Sequence, residues 1–104
     1  MDRQKVKAKM MKIIERRKAI KTGFETSTSF NHQLYFLNVF EDVLNDLNSQ
    51  HKLIIEKTFI NTDNNFWWLN LYSKSTFYRL KDEALNSFVN MFEMIYENIK
   101  DFAH

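Results

Sequence analysis

The chain has 104 residues, 44% of them hydrophobic, with Phe 10, Tyr 4 and Trp 2, so it is long enough for one modest core and too apolar to stay unfolded. Pro 0 and Gly 1 exclude a fold built on hairpins and tight turns, and Cys 0 excludes disulfides, thiolate nucleophiles and cysteine-based metal sites. The net charge of +2 conceals an asymmetry. Residues 1–22 hold nine bases (Arg3, Lys5, Lys7, Lys9, Lys12, Arg16, Arg17, Lys18, Lys21) against Asp2 and Glu15, a balance of +7, whereas the rest of the chain carries six bases and eleven acids, −5. A basic segment of this kind suits phosphate, an acidic partner or the protein's own acidic body. With no 18-residue apolar segment and no N-terminal apolar run, neither a membrane span nor a secretory signal is expected, and the cytoplasm is the expected location. The expectation is an all-α fold, a compact bundle of about five helices forming a single domain over residues 1–104.

In chain order, Asp2 is a good N-cap and Gly23 a good left-handed terminator. Between them Val6, Met10, Ile13, Ile14 and Ile20 recur at helical spacing, interrupted by Arg17, so residues 1–23 read as a basic amphipathic helix. Packing on the rest of the domain, a nucleic-acid or partner arm using Lys5, Lys9, Lys12, Arg16 and Arg17, and a membrane-surface helix compete for it. The last is disfavoured because its apolar face has no Trp, Phe or Leu. Residues 24–30 form a polar connection, and Ser29 or Asn31 starts a second helix. That helix carries a stripe of Leu34, Leu37, Phe40, Val43, Leu44 and Leu47, widened by Tyr35, Phe36 and Val39, and ends near Asn48. Ser49 caps a third helix from Gln50 to about Phe59, built on Leu53, Ile54 and Ile55.

Residues 61–65, NTDNN, are the clearest loop. Phe66 to Leu71 then reads as about two helical turns, Tyr72-Ser73 as a tight turn, and Ser73 as the start of a long last helix. Its apolar residues Phe77, Leu80, Ala84 and Phe88 share one stripe that continues through Met91, Phe92, Ile95 and Ile99, while Ser75, Arg79, Asp82 and Asn86 fall opposite. At about 1.5 Å per residue such a helix spans about 45 Å. Its C-terminal half, residues 89–104, therefore needs a cover: the first helix, or a second copy in a homodimer.

The order of elements over residues 31–88, with YSKSTFYRLKDEAL opening the last helix, resembles the sigma-70 region 4 type of helix-turn-helix, and within it the ArpU-like phage transcriptional regulators. In that family a Ser-x-Ser-Thr-hydroxyaromatic-Tyr-Arg sequence opens the recognition helix and an Ala-Leu pair follows. The chain departs from the family where NFWWLNLY replaces the usual Glu-Ile-Ala-x-x-Leu-Gly of the scaffold helix. It is also similar to short mollicute proteins of unassigned function. The resemblance implies a transcription regulator that binds double-stranded DNA and contacts RNA polymerase. The alternative is a helical protein–protein interaction module that has lost DNA reading.

Physical chemistry gives each residue a role under the first reading. Ser73 caps the helix and leaves first-turn N–H groups facing a phosphate, with Lys74 and Thr76 adding charge and a hydroxyl. Ser75 and Arg79 lie on the outward face, where the Arg79 fork matches guanine O6 and N7, and Tyr78 and Lys81 flank it toward the backbone. Against this, residues 73–85 carry only +1 net, so duplex affinity needs the basic first helix nearby, a dimer or a tether to polymerase. Trp67 and Trp68 read as core. An enzyme is not expected, since His32, His51 and His104 are scattered and no glycine loop cradles phosphate. Asp42 and Asp46 read as a solvated face, and no cofactor is implied.

Overall fold

The computed structural model describes residues 3–23 and 29–103, with side chains through Tyr96. Among these it is all-helical, with four α-helices: α1 (Arg3–Lys21), α2 (Phe30–Asp46), α3 (Ser49–Ile55) and α4 (Lys74–Ala103). The Asp2 cap and the connection over residues 24–28 lie outside the described residues. Gly23 ends α1 at φ 80, the left-handed conformation that only glycine adopts without strain. Ser29 starts α2 by accepting the His32 N–H at 3.3 Å. Asn48, rather than Ser49, caps α3, its Oδ1 accepting the His51 N–H at 2.8 Å. Past Ile55 the chain keeps turning in one wider π-helical turn, Glu56–Ile60, closed by a 2.7 Å bond from the Asn61 N–H to the Glu56 carbonyl.

The fifth helix expected over Phe66–Leu71 is absent, and successive turns take its place. The Leu69 N–H reaches the Phe66 carbonyl at 3.1 Å, and the Leu71 N–H reaches the Trp68 carbonyl at 2.9 Å. Two helical turns are too short to repay helix nucleation by themselves. Here the tryptophans decide the path instead: Trp68 lies flat on Phe77, centroids 4.4 Å apart at 5°, and Trp67 meets the same ring edge-on at 5.8 Å. Both tryptophans are half-buried, less covered than core residues.

Aromatic and ionic contacts give the directions of the bundle. Along α4, Asp82, Glu93 and Tyr96 meet Arg3, Lys9 and Arg16 of α1 in ascending order, so α1 runs parallel to it. Phe40 packs on Phe88 and Phe36 on Phe92, so α2 runs antiparallel. Of the expected α4 stripe, Phe77, Leu80, Ala84, Phe88 and Phe92 are buried, joined by Leu85 and Val89, whereas Met91 is half-buried, Ile95 is exposed and the Ile99 side chain lies outside the described residues. The α2 stripe is rotated from expectation: Phe36 and Val39 lie in the core, Leu37 and Leu47 at its margin, and Leu34 is exposed. Edge contacts of Phe36 with the Phe92 and Tyr96 rings explain the choice, since aromatic area outweighs that of leucine. Val6, Met10 and Ile13 bring α1 into the same core, and its interrupting Arg17 lays its guanidinium 4.9 Å from the Phe40 ring centre. The longest dimension, 44 Å, is about the length of α4. No described helix is long and apolar enough to cross a membrane.

Candidate nucleic-acid interface

The start of α4 is built by Ser73. Its Oγ accepts the Thr76 N–H at 3.2 Å and donates to the Thr76 hydroxyl at 2.9 Å, while its carbonyl takes the Phe77 N–H at 2.9 Å. The N–H groups of Lys74 and Ser75 therefore have no helical acceptor, and both residues are exposed. The positive end of the helix dipole adds to this end's preference for an anion.

One turn further, Arg79 has a side chain 62% exposed and donates through Nη1 to Glu83 Oε1 at 3.0 Å. Glu83 is also approached by His51 Nε2 at 3.5 Å, a contact that carries charge when His51 is protonated. Such an exposed pair is worth about 0.3–0.5 kcal/mol, less than the about 1–3 kcal/mol of a bidentate guanine contact, so Glu83 does not lock Arg79 away. Tyr78 is 47% exposed, and the Lys81 ammonium lies 6.0 Å from its ring centre. Burial and then the nearby Lys7 ammonium hold Lys81 below the usual lysine pKa, partly offset by Asp82.

The basic residues of α1 divide into two groups. Arg3 reaches Asp82 at 2.9 Å with its own side chain 79% exposed, and Lys7 is near enough to Lys81 to disfavour its charge, so the first two turns of α1 lie beside α4 from about Lys81 onward, roughly two turns past Ser73. Sequence reasoning singled out neither for this site. Nothing in the local pattern marks them, because their position follows from the parallel register of α1 on α4. Of the residues it did select, Arg16 donates to the Tyr96 hydroxyl at 2.8 Å over the Phe36 ring, and Arg17 lies on Phe40 with Glu41 at 3.7 Å. Both have a buried Nε with no acceptor, the mark of guanidiniums serving as packing surface. Lys9 pairs with Glu93 at 2.9 Å, whereas Lys5 and Lys12 are exposed. Glu93 follows Arg79 by fourteen positions, about 21 Å along the helix, so Lys9, Arg16 and Arg17 are not part of one surface with Ser73–Lys81. Asp82 and Asn86, expected in the exposed row, are half-buried instead; Arg3 pairs with the first, and Asn86 Nδ2 donates to the Asp82 carbonyl at 2.9 Å.

A cavity of about 260 Å³ opens beside this helix start, with Trp67, Trp68, Phe77 and Tyr78 in its walls and Lys57 and Lys81 among its lining residues. Among the described residues no group of three or more His, Cys, Asp or Glu is placed to hold a metal ion. Comparison with protein-family models, curated proteins and solved structures finds no match to the chain.

Proposed function

We propose that the protein is a cytoplasmic transcription regulator of the sigma-70 region 4 and ArpU-like kind, reading duplex DNA with the first turns of α4. The observation that carries this reading is the meeting of two basic elements. Lys7 of α1 lies near enough to Lys81 of α4 to disfavour its charge, neither makes an ion pair among the described residues, and Lys81 lies about two turns past the exposed, Ser73-capped helix end. The +1 balance of residues 73–85 is thereby supplemented from α1, where phosphate neutralisation needs it. Under this reading Arg79 contacts a base, Ser73, Lys74, Ser75 and Thr76 hold a phosphate, and Tyr78 and Lys81 touch the backbone.

A second reading, a non-catalytic module docking on RNA polymerase or on a second copy, is favoured by exposed apolar residues. Leu69 is 56%, Leu71 61% and Met94 72% exposed, apolar side chains that a docked partner would cover. Substitution Arg79→Ala separates the two. In fluorescence anisotropy against duplex DNA it costs about 1–3 kcal/mol of specific binding, with an unchanged helical circular dichroism spectrum. Unchanged binding, or none by the parent at low salt, would favour the docking module.

A further inference from the structure

The cavity beside the helix start combines three features, and of its lining residues the duplex reading uses only Tyr78 and Lys81. First, its walls are aromatic. Trp68 has one face flat on Phe77 and the tilted Tyr78 ring 6.3 Å away, which leaves its opposite face for a ligand, and Phe66, also in the lining, is 66% exposed. Most of this ring lies in water, and a planar partner would cover it. Second, lysines from two elements, Lys57 of the π-helical turn and Lys81 of α4, contribute to the lining. Third, the exposed Asn65 lies in the same lining, so an amide donor and acceptor are available for the edge of a ring, and the buried Thr58 hydroxyl beside it has no partner among the described residues. The volume of about 260 Å³ is just under the roughly 300–1,000 Å³ that drug-sized ligands occupy, which suits one planar group and not a coenzyme.

We propose that this pocket receives the base of an unpaired nucleotide, stacked on the Trp68 and Phe66 rings, with Lys57 and Lys81 on its flanking phosphates. Aromatic faces interleaved with ammonium groups are the means by which single strands are held, since every base has a π-face and every linkage a charge. A duplex cannot use the pocket, because its bases are stacked on one another and paired. The pocket therefore binds a strand that has been opened, beside a helix end that suits a closed one.

The molecule carries its own reporter, because Trp67 and Trp68 are its two tryptophans and both line the cavity. The full chain is titrated with a deoxythymidine decamer at low salt while tryptophan emission is followed. A decamer of abasic sites serves as the control for charge alone. Quenching by decathymidine, none by the abasic strand, and affinity reduced roughly 5- to 150-fold in Phe66→Ala would establish the pocket; that range corresponds to loss of one base–aromatic stack. Phe66 is exposed, so circular dichroism should show its variant folded, and Lys57→Gln, also at an exposed residue, gives a second, charge-based loss. Tighter binding of decathymidine than of decauridine assigns the site to DNA, the reverse to RNA, and either supports it. Equal quenching by the abasic strand, no quenching by any strand, or an unchanged affinity in Phe66→Ala would overturn it. Decathymidine quenching that persists in Arg79→Ala separates this pocket from duplex reading, so that either can fail without the other.

Discussion

Two ammonium groups held near each other in a fold carry a cost that an anion removes, and Lys7 and Lys81 stand in that relation. Burial and Lys7 together lower the Lys81 pKa, so the folded state disfavours its charged form. The sign for stability follows. The cost is complete at pH values below the folded pKa, where Lys81 is charged in both states, and it fades as pH rises from there toward the unfolded value of 10.5. Substitution Lys7→Gln removes one contributor. By analogy with like-charge pairs on helices, it raises stability at pH 7 by up to about 0.5 kcal/mol. The gap to the parent protein narrows as pH is raised toward 10.5, which urea unfolding at pH 7 and pH 10 would measure. The same substitution weakens duplex binding in the anisotropy assay. A residue that lowers stability while raising affinity is one placed for a partner, whereas a Lys7→Gln variant that loses stability would mean that Lys7 serves the fold alone.

Among the elements, α1 links the core to the candidate interface, because Val6, Met10 and Ile13 anchor it while Arg3 and Lys7 project beside α4. Met10 is fully buried at the centre of that contact. Met10→Ala therefore costs about 2–5 kcal/mol in urea unfolding, the range for truncating a large core side chain; a loss below about 1 kcal/mol would mean that α1 is not held where the structure has it. Much of this architecture was legible. The spacing of Phe77, Leu80, Ala84 and Phe88 and the caps Gly23, Ser29 and Ser73 are local signals, and each element they mark is present. The direction of α2 was not, since a helix with so many large apolar residues offers several stripes, and the Phe92 and Tyr96 rings across the bundle chose the one through Phe36. Phe66–Leu71 misled for a related reason. Its apolar block fits a helix locally, while stacking of Trp68 on Phe77 draws it into turns. At the candidate site, the α4 residues were legible from their own motif, but Arg3 and Lys7 were not, because a helix–helix register leaves no trace in either helix alone.

At the scale of the molecule, the +7 of residues 1–22 is divided between two uses. Arg3, Lys9 and Arg17 pair with Asp82, Glu93 and Glu41, so part of the basic segment neutralises the acidic body behind it. The rest is not evenly placed for a partner: Lys7, and Arg3 with its side chain still 79% exposed beside Asp82, lie along the first half of α4, which itself carries Lys74, Arg79 and Lys81. If these five meet phosphates or a base edge on a duplex, counterion release sets the salt response at about −0.9 per phosphate contacted. The logarithm of the affinity then falls against that of salt concentration with a slope of about −3.6 to −4.5 for one protein per site, the smaller figure if Arg79 meets a base. A slope near twice that value would point to two copies bound together, with the exposed Met94 region of α4 as the surface to test between them. The contribution of α1 is resolved by a pair of variants. Lys7→Gln lowers the magnitude of the slope by about 1, because it removes one phosphate contact. Lys18→Gln leaves it unchanged, because Lys18 lies eleven residues on, about 16 Å along α1 and beyond the screening length of about 10 Å at 0.1 M salt. Equal losses from the two would mean that the whole of α1 lies along the nucleic acid, and that Arg16 and Arg17 leave the Phe36 and Phe40 rings when it binds.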